Sequence, residues 1–194
     1  MSEVVKKDWD FSDKVFLATS TRKVLEKHFG SVSIRKATKE EDMINNIDYH
    51  INNIPIQWRT QRYENIKGSI HNYNPTFRYS RNYSSYEDRK DSEFKKILRN
   101  RQNGLPYPKL HFWCLVDKNF DIKKSIIIDV DKFVSDYQNN EYEIWDKKKG
   151  KKINDSNTEK IITLVQNYDN SSEFIILNEK FLLPKTIVHK YTST

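Results

Sequence analysis

Hydrophobic and polar positions along the chain change period several times, and each change marks an element. From Ser12, a residue suited to capping a helix, Val15, Ala18, Leu25 and Phe29 recur on one helical stripe until Gly30 ends it. Val32 to Lys36 is a short strand candidate, after which Thr38 and Glu41 fit a T-x-x-E capping box and open a brief helical turn through Met43 and Ile44. Asp91 can cap a second long helix reaching about Arg101, with Phe94, Ile97 and Leu98 facing inward and Gly104 and Pro106 as stop signals. Leu110 to Val116 and Ser125 to Ile128 are apolar strands, and Val130, Phe133, Val134 and Tyr137 form a further helix stripe. Apolar strands at Lys160 to Val165, Glu173 to Leu177 and Thr186 to His189 follow.

Ile47 to Gln61 is the most informative stretch. It alternates on both sides of Asn52-Asn53, a pair that tolerates positive φ, and so predicts a tight hairpin. With a two-residue turn, Ile51 meets Ile54, Tyr49 meets Ile56 and Ile47 meets Trp58 on an apolar face. The opposite face pairs Asp48 with Gln57 and sets Arg59 diagonal to Asp48, so three polar groups converge.

Composition bounds the class. A chain of 194 residues with 36% hydrophobic and 13% aromatic residues can bury one substantial core, even at a mean hydropathy of -0.87. The lone Cys114 excludes an internal disulfide and a cysteine-based zinc cluster, and implies a reducing compartment, the cytoplasm. No apolar run is long enough to span a membrane, and Met1 to Asp10 is too charged for a secretory leader.

The net charge of +7 favours an anionic partner, though an evenly spread solubility surplus would give the same sum. Distribution adds information. Arginine is the rarer base, nine against twenty-five lysines, yet Arg59, Arg62, Arg78, Arg81, Arg89, Arg99 and Arg101 fall within positions 59 to 101. Planar guanidinium suits phosphate, so this clustering predicts an anion-facing surface, with structural ion pairs as the alternative. The same region carries Tyr63, His71, Tyr73, Phe77, Tyr79, Tyr83 and Tyr86, rings that either stack on bases or pack a long loop onto the body, and one strand at Thr76 to Ser80. Five lysines between Lys147 and Lys152 make a basic hairpin tip, with Lys147 and Lys148 as further candidate phosphate contacts.

The order helix, strand, hairpin, helix, strand is compatible with the αβββαβ core of restriction-endonuclease-like nucleases. The resemblance rests on Asp48 in Ile47-Asp48-Tyr49-His50-Ile51 and on Gln57-Trp58-Arg59, which resembles the D…(D/E)xK pattern of that superfamily and is similar in particular to the Mrr-type D…QxK variant. It covers roughly Phe11 to Val134. The resemblance implies an α/β (α+β) domain with a mixed central sheet flanked by helices over residues 1–138; the basic hairpin and apolar strands that follow predict a C-terminal β-rich extension over 139–194 packed on the same domain. It implies Mg²⁺ or Mn²⁺ held by Asp48, Gln57 and Asp42, with Glu26 a further donor should the first helix dock beside the hairpin, and a metal-activated water attacking a DNA phosphodiester. Arg62, Arg78 and Arg81 would then grip the flanking backbone.

One departure divides the reading. Arg59 stands where the motif has lysine, and arginine stays protonated, so it can stabilise phosphate charge but cannot act as a base. A metal-dependent nuclease and a catalytically inactive nucleic-acid-binding or protein-binding regulator are both compatible with these residues, as is a homodimer. Asp48, Gln57 and Arg59 also have a plainer role as a solvated hairpin face, Glu93 as a helix N-terminal acid, and His50 and His71 as isolated histidines.

Overall fold

The computed structural model of the chain describes residues 3–65, 70, 73–81, 92–156, 158–166, 172–180, 182 and 186–192. Its amino-terminal stripe forms two helices instead of one, α1 (Glu3–Leu17) and α2 (Thr19–Phe29). The break is at Ala18, whose ψ of 149° is extended, and the Thr21 hydroxyl closes the corner by donating to the Val15 carbonyl at 2.7 Å. Ser12 is therefore inside α1. The corner lets Val15 and Phe16 on one helix and Val24 and Leu25 on the other share one apolar cluster, which a single straight helix could not do.

After Gly30, in the left-handed region at φ 72°, come β1 (Ile34–Lys36) and α3 (Lys39–Asn45), the latter opened by the Thr38–Glu41 capping box in both directions. The hairpin follows as β2 (Tyr49–Ile51) and β3 (Ile54–Arg62). Both turn residues have positive φ, Asn52 50° and Asn53 66°, and the register pairs Ile51 with Ile54 and Tyr49 with Ile56. β4 (Thr76–Arg81) and α4 (Glu93–Gln102) lead to β5 (Leu110–Val116). The α4 cap is Ser92, whose hydroxyl accepts from the Lys95 N–H at 3.4 Å; Asp91, the cap expected from sequence, lies outside the described residues. Then come β6 (Ile122–Asp129), α5 (Val130–Gln138), β7 (Glu143–Asp146), β8 (Lys151–Lys152), β9 (Ile161–Gln166), β10 (Ser172–Ile176) and β11 (Ile187–Thr192).

The strands form two mixed sheets, giving a mixed α/β fold with five α-helices among the described residues. The first has the order β1-β2-β3-β5-β6-β11, in which only β3 and β5 run parallel. The second has the order β4-β10-β9-β7-β8. A division at residue 138 does not follow these sheets, because β4 joins the second and β11 returns to the first. Helices α1 and α2 cover one face of the first sheet, around Trp58, Tyr49, Phe112 and Cys114. Its other face packs against α4, α5 and the second sheet through Trp113, Ile126, Phe77, Phe94, Phe133 and Ile175. No helix of the described residues is long and apolar enough to cross a membrane.

Candidate functional site

Alternation along β3 sends Trp58 and its neighbours to opposite faces. Trp58 is buried against Phe16 and Phe112, edge to face at 4.8 and 4.6 Å. Gln57 and Arg59 therefore project toward the second sheet, while the paired register ends at Tyr49 with Ile56, and Asp48, one residue before β2, donates its backbone N–H to the Ile56 carbonyl at 2.9 Å. The expected pairings of Ile51 with Ile54 and of Tyr49 with Ile56 are the ones the chain adopts, and that of Asp48 with Gln57 lies beyond the paired residues.

The three side chains nevertheless meet different neighbours. Asp48 accepts the Trp58 backbone N–H at 2.7 Å. Part of it reaches solvent, yet burial is the largest influence on its carboxyl and pushes the pKa up to about 8. The Trp58 N–H and Arg59 oppose this shift, while Asp42 and Glu93 reinforce it. Gln57 is fully inside, its Oε1 3.0 Å from Nδ1 of His111, the residue directly beside it on parallel β5. An amide oxygen only accepts, so the imidazole proton is on Nδ1, and the buried Nε2 is left without a hydrogen-bond partner. Burial pushes the His111 pKa down to about 3, against the pull of the Glu93 charge.

Arg59 is tied to Glu93, Nη1 to Oε1 at 3.0 Å. Glu93 is the first residue of α4, and it also receives Nη1 of Arg78 at 3.1 Å on Oε1 and the Arg78 backbone N–H at 3.1 Å on Oε2. Burial alone would raise the Glu93 pKa, but the two guanidinium charges and the N–H outweigh it and hold the carboxyl down at about 2. Both guanidiniums lie over the ring of Phe174 on β10, at 5.1 and 5.6 Å from its centre. Two arginines, one carboxylate and one aromatic ring thus make a cluster with a net positive charge where the two sheets approach.

The remaining candidates scatter. Arg62 is exposed, its guanidinium 4.1 Å over Phe11. The Arg81 side chain lies outside the described residues, as do Arg89, His71, Tyr83 and Tyr86. Arg101 bonds Gln138 and Ser135 at 2.6 and 2.7 Å, and Arg99 reaches Asn100 at 3.3 Å. The arginines of positions 59 to 101 are therefore in large part held by protein groups, and do not form one anion-facing stripe among the described residues. Lys147 and Lys148 occupy the turn between β7 and β8, where the N–H groups of Lys148 and Lys149 both donate to Asp146 Oδ1 at 3.0 Å. Glu41 joins Arg35 and His50. Glu26 pairs with Arg22 on α2, whose buried side chains join the Trp58 face, so it cannot supplement Asp48.

Of the proposed metal donors, Asp42 is close enough to influence Asp48, but among the described residues no group of three or more His, Cys, Asp or Glu side chains can hold a metal ion. Gln57 turns its amide oxygen to His111, and Asp48 has one oxygen on Trp58. Sequence reading missed His111 as the partner of Gln57 and Glu93 as the partner of Arg59; the signal for the first was a lone imidazole inside the apolar run Leu110 to Val116.

No protein-family model, curated protein or solved structure matches this chain.

Proposed function

We propose that this chain is a nucleic-acid-binding protein built on a restriction-endonuclease-like core whose hydrolytic site has become structural. Support for the core comes from the succession α1–α2, antiparallel β1-β2-β3, α4 and then β5 parallel to β3, with Asp48 just before β2 and Gln57 and Arg59 within β3. The observation that carries the inactive reading is that each motif side chain is engaged inside the protein: Asp48 by the Trp58 N–H, Gln57 by His111 and Arg59 by Glu93. With its pKa near 8 the Asp48 carboxyl of the metal-free chain is mostly protonated at neutral pH. The net charge of +7 and the guanidinium pair on Phe174 support an anionic polymer as partner.

One observation favours hydrolysis instead. Raised carboxyls cluster at active sites, and Asp48 has Asp42 and Glu93 close by. The two readings separate by incubating the purified protein with duplex, branched and single-stranded DNA in Mg²⁺ or Mn²⁺. Binding that weakens steeply with salt and no cleavage, by the wild type or by Arg59→Lys, is the expected outcome. Cleavage that disappears in Asp48→Ala would replace this proposal with the nuclease.

A further inference from the structure

The second sheet presents an outer face that, of the motif residues, Arg59 reaches at Phe174. Along β7, Ile144 packs toward the core while Trp145 points the other way and is 40% exposed, the most exposed aromatic ring in a described strand. Pairing fixes which residues share its face. Trp145 is opposite Lys152 on β8 and Thr163 on β9, Thr163 is opposite Ile176 on β10, and one row further Val165 is opposite Phe174, which is opposite Arg78 on β4. The alternate residues Ile162, Leu164 and Ile175 are buried on the inner side. Trp145 and Phe174 are thus two aromatic rings on one sheet face, about 12 Å apart from strand spacing and rise.

Positive charge predominates around this face. Five lysines, Lys147, Lys148, Lys149, Lys151 and Lys152, flank Trp145 within the β7–β8 hairpin, against two acids, and both acids are occupied: Glu143 by Lys152 at 3.4 Å and Asp146 by Lys149 at 3.2 Å. At the other end stand Arg59 and Arg78 over Phe174. A sheet face with rings set among cations offers stacking to bases and ion pairs to the backbone between them. Bases within a duplex have no free π-face to give, so the chemistry selects an unpaired strand.

We infer that the outer face of the five-stranded sheet is a platform for single-stranded nucleic acid, with Trp145 as its stacking ring, the β7–β8 lysines and Arg78 as its phosphate contacts, and a path that ends beside Arg59. This rests on the nucleic-acid-binding reading above and adds the strand class and the surface. The path also explains why an arginine pair is held in readiness by Glu93: a phosphate has the same charge and the same two-oxygen geometry, and can take over those guanidiniums.

The test titrates the full chain with an oligothymidine of about 15 nucleotides and with a duplex of equal length, following tryptophan fluorescence and the anisotropy of labelled oligonucleotide. In a Trp9→Phe background, oligothymidine binding is expected to quench emission, because Trp145 is exposed whereas Trp58 and Trp113 are buried. Trp145→Ala should weaken oligothymidine binding roughly tenfold or more and remove the quench, while Trp145→Phe keeps most of the affinity. Lys151→Glu, an exposed change that disturbs no packing, should weaken the same complex several-fold and flatten its salt dependence. Unchanged oligothymidine affinity in Trp145→Ala and Lys151→Glu, or binding of the duplex alone, overturns the platform while leaving nucleic-acid binding intact. Failure of both oligonucleotides to bind at low salt overturns both.

Discussion

The two faces of the β2–β3 hairpin are built from alternate residues of the same strands, and they are held by different physics. On one face Phe16 stacks on Tyr49 at 3.5 Å and Trp58 meets Phe16 and Phe112 edge to face, so shape and buried area do the holding. On the other, Asp48, Gln57 and Arg59 each depend on one specific partner, and what holds them is the satisfaction of groups that would otherwise be stranded away from water. The first face tolerates any residue that fills its volume. The second tolerates only residues that answer a particular donor, acceptor or charge.

The comparison breaks hardest at Trp58. Trp58→Ala should cost about 3–5 kcal/mol through lost burial and the cavity left among three rings, measured by urea denaturation at constant m-value. Trp58→Phe should cost far less, since the indole N–H is buried without a hydrogen-bond partner and its removal strands nothing.

On the polar face the largest effect belongs to Glu93. Glu93→Gln leaves two guanidiniums against each other, and because all three groups keep some exposure the loss should be about 2–3 kcal/mol at pH 7, below that of a fully buried pair. The pH dependence has a definite sign. The folded pKa, about 2, lies below the ordinary 4.5, so the wild-type advantage is complete above 4.5 and is lost as pH falls toward 2. His111 adds to the acid loss from a higher starting point, because its folded pKa of about 3 lies below the ordinary 6.5 and the unfolded chain takes the proton first.

Asp48 works in the opposite direction. Its folded pKa of about 8 is above the ordinary 3.8, so its contribution is complete below 3.8 and is lost as pH rises through 8. Asp48→Asn keeps an acceptor for the Trp58 N–H and removes that loss. It should stabilise the protein by about 1–2 kcal/mol at pH 8, partial exposure limiting the gain, and by almost nothing at pH 3. Thermal melts of both proteins across that range check it; a variant no more stable at pH 8 than at pH 3 would contradict the upward shift.

The smallest expected effect lies at the turn, which both faces share. Asn53→Gly relieves a side chain at φ 66° and should raise stability by about 0.5 kcal/mol. Asn52 is the wrong place for the same change, since its side chain accepts the Ser33 N–H at 2.8 Å and donates to the Ser31 carbonyl at 2.9 Å, binding the turn to the start of β1.

The hairpin was legible because its signal is local: a period of two on both arms and two asparagines between them fix the register, and with it the face that Tyr49, Ile56 and Trp58 share. The capping box at Thr38 and the strand from Leu110 to Val116 were legible for the same reason. Periodicity tells which way a side chain points but not what it points at. His111 reaches Gln57 across a parallel pairing between residues 54 apart, and Glu93 meets Arg59 only because α4 returns over the sheet. The break at Ala18 was hidden for another reason: alanine favours helix, and tertiary burial of Phe16 and Val24 together overrides that preference. The identities of the site residues could be read; their occupation by one another could not.

The exchange of strands between the two sheets has a kinetic consequence. β4, near residue 77, finds its partner β10 almost a hundred positions later, and β6 has its outer edge closed only by β11, among the last residues of the sequence. Contacts so distant along the chain make loop closure the slow step, and folding should take milliseconds to seconds rather than microseconds. During synthesis, therefore, β6 emerges well before the strand that seals it. Until residues 187–192 emerge, the row of backbone amides and carbonyls on that edge is open to any other extended segment, which makes that interval the time when the nascent chain most needs shielding from its neighbours.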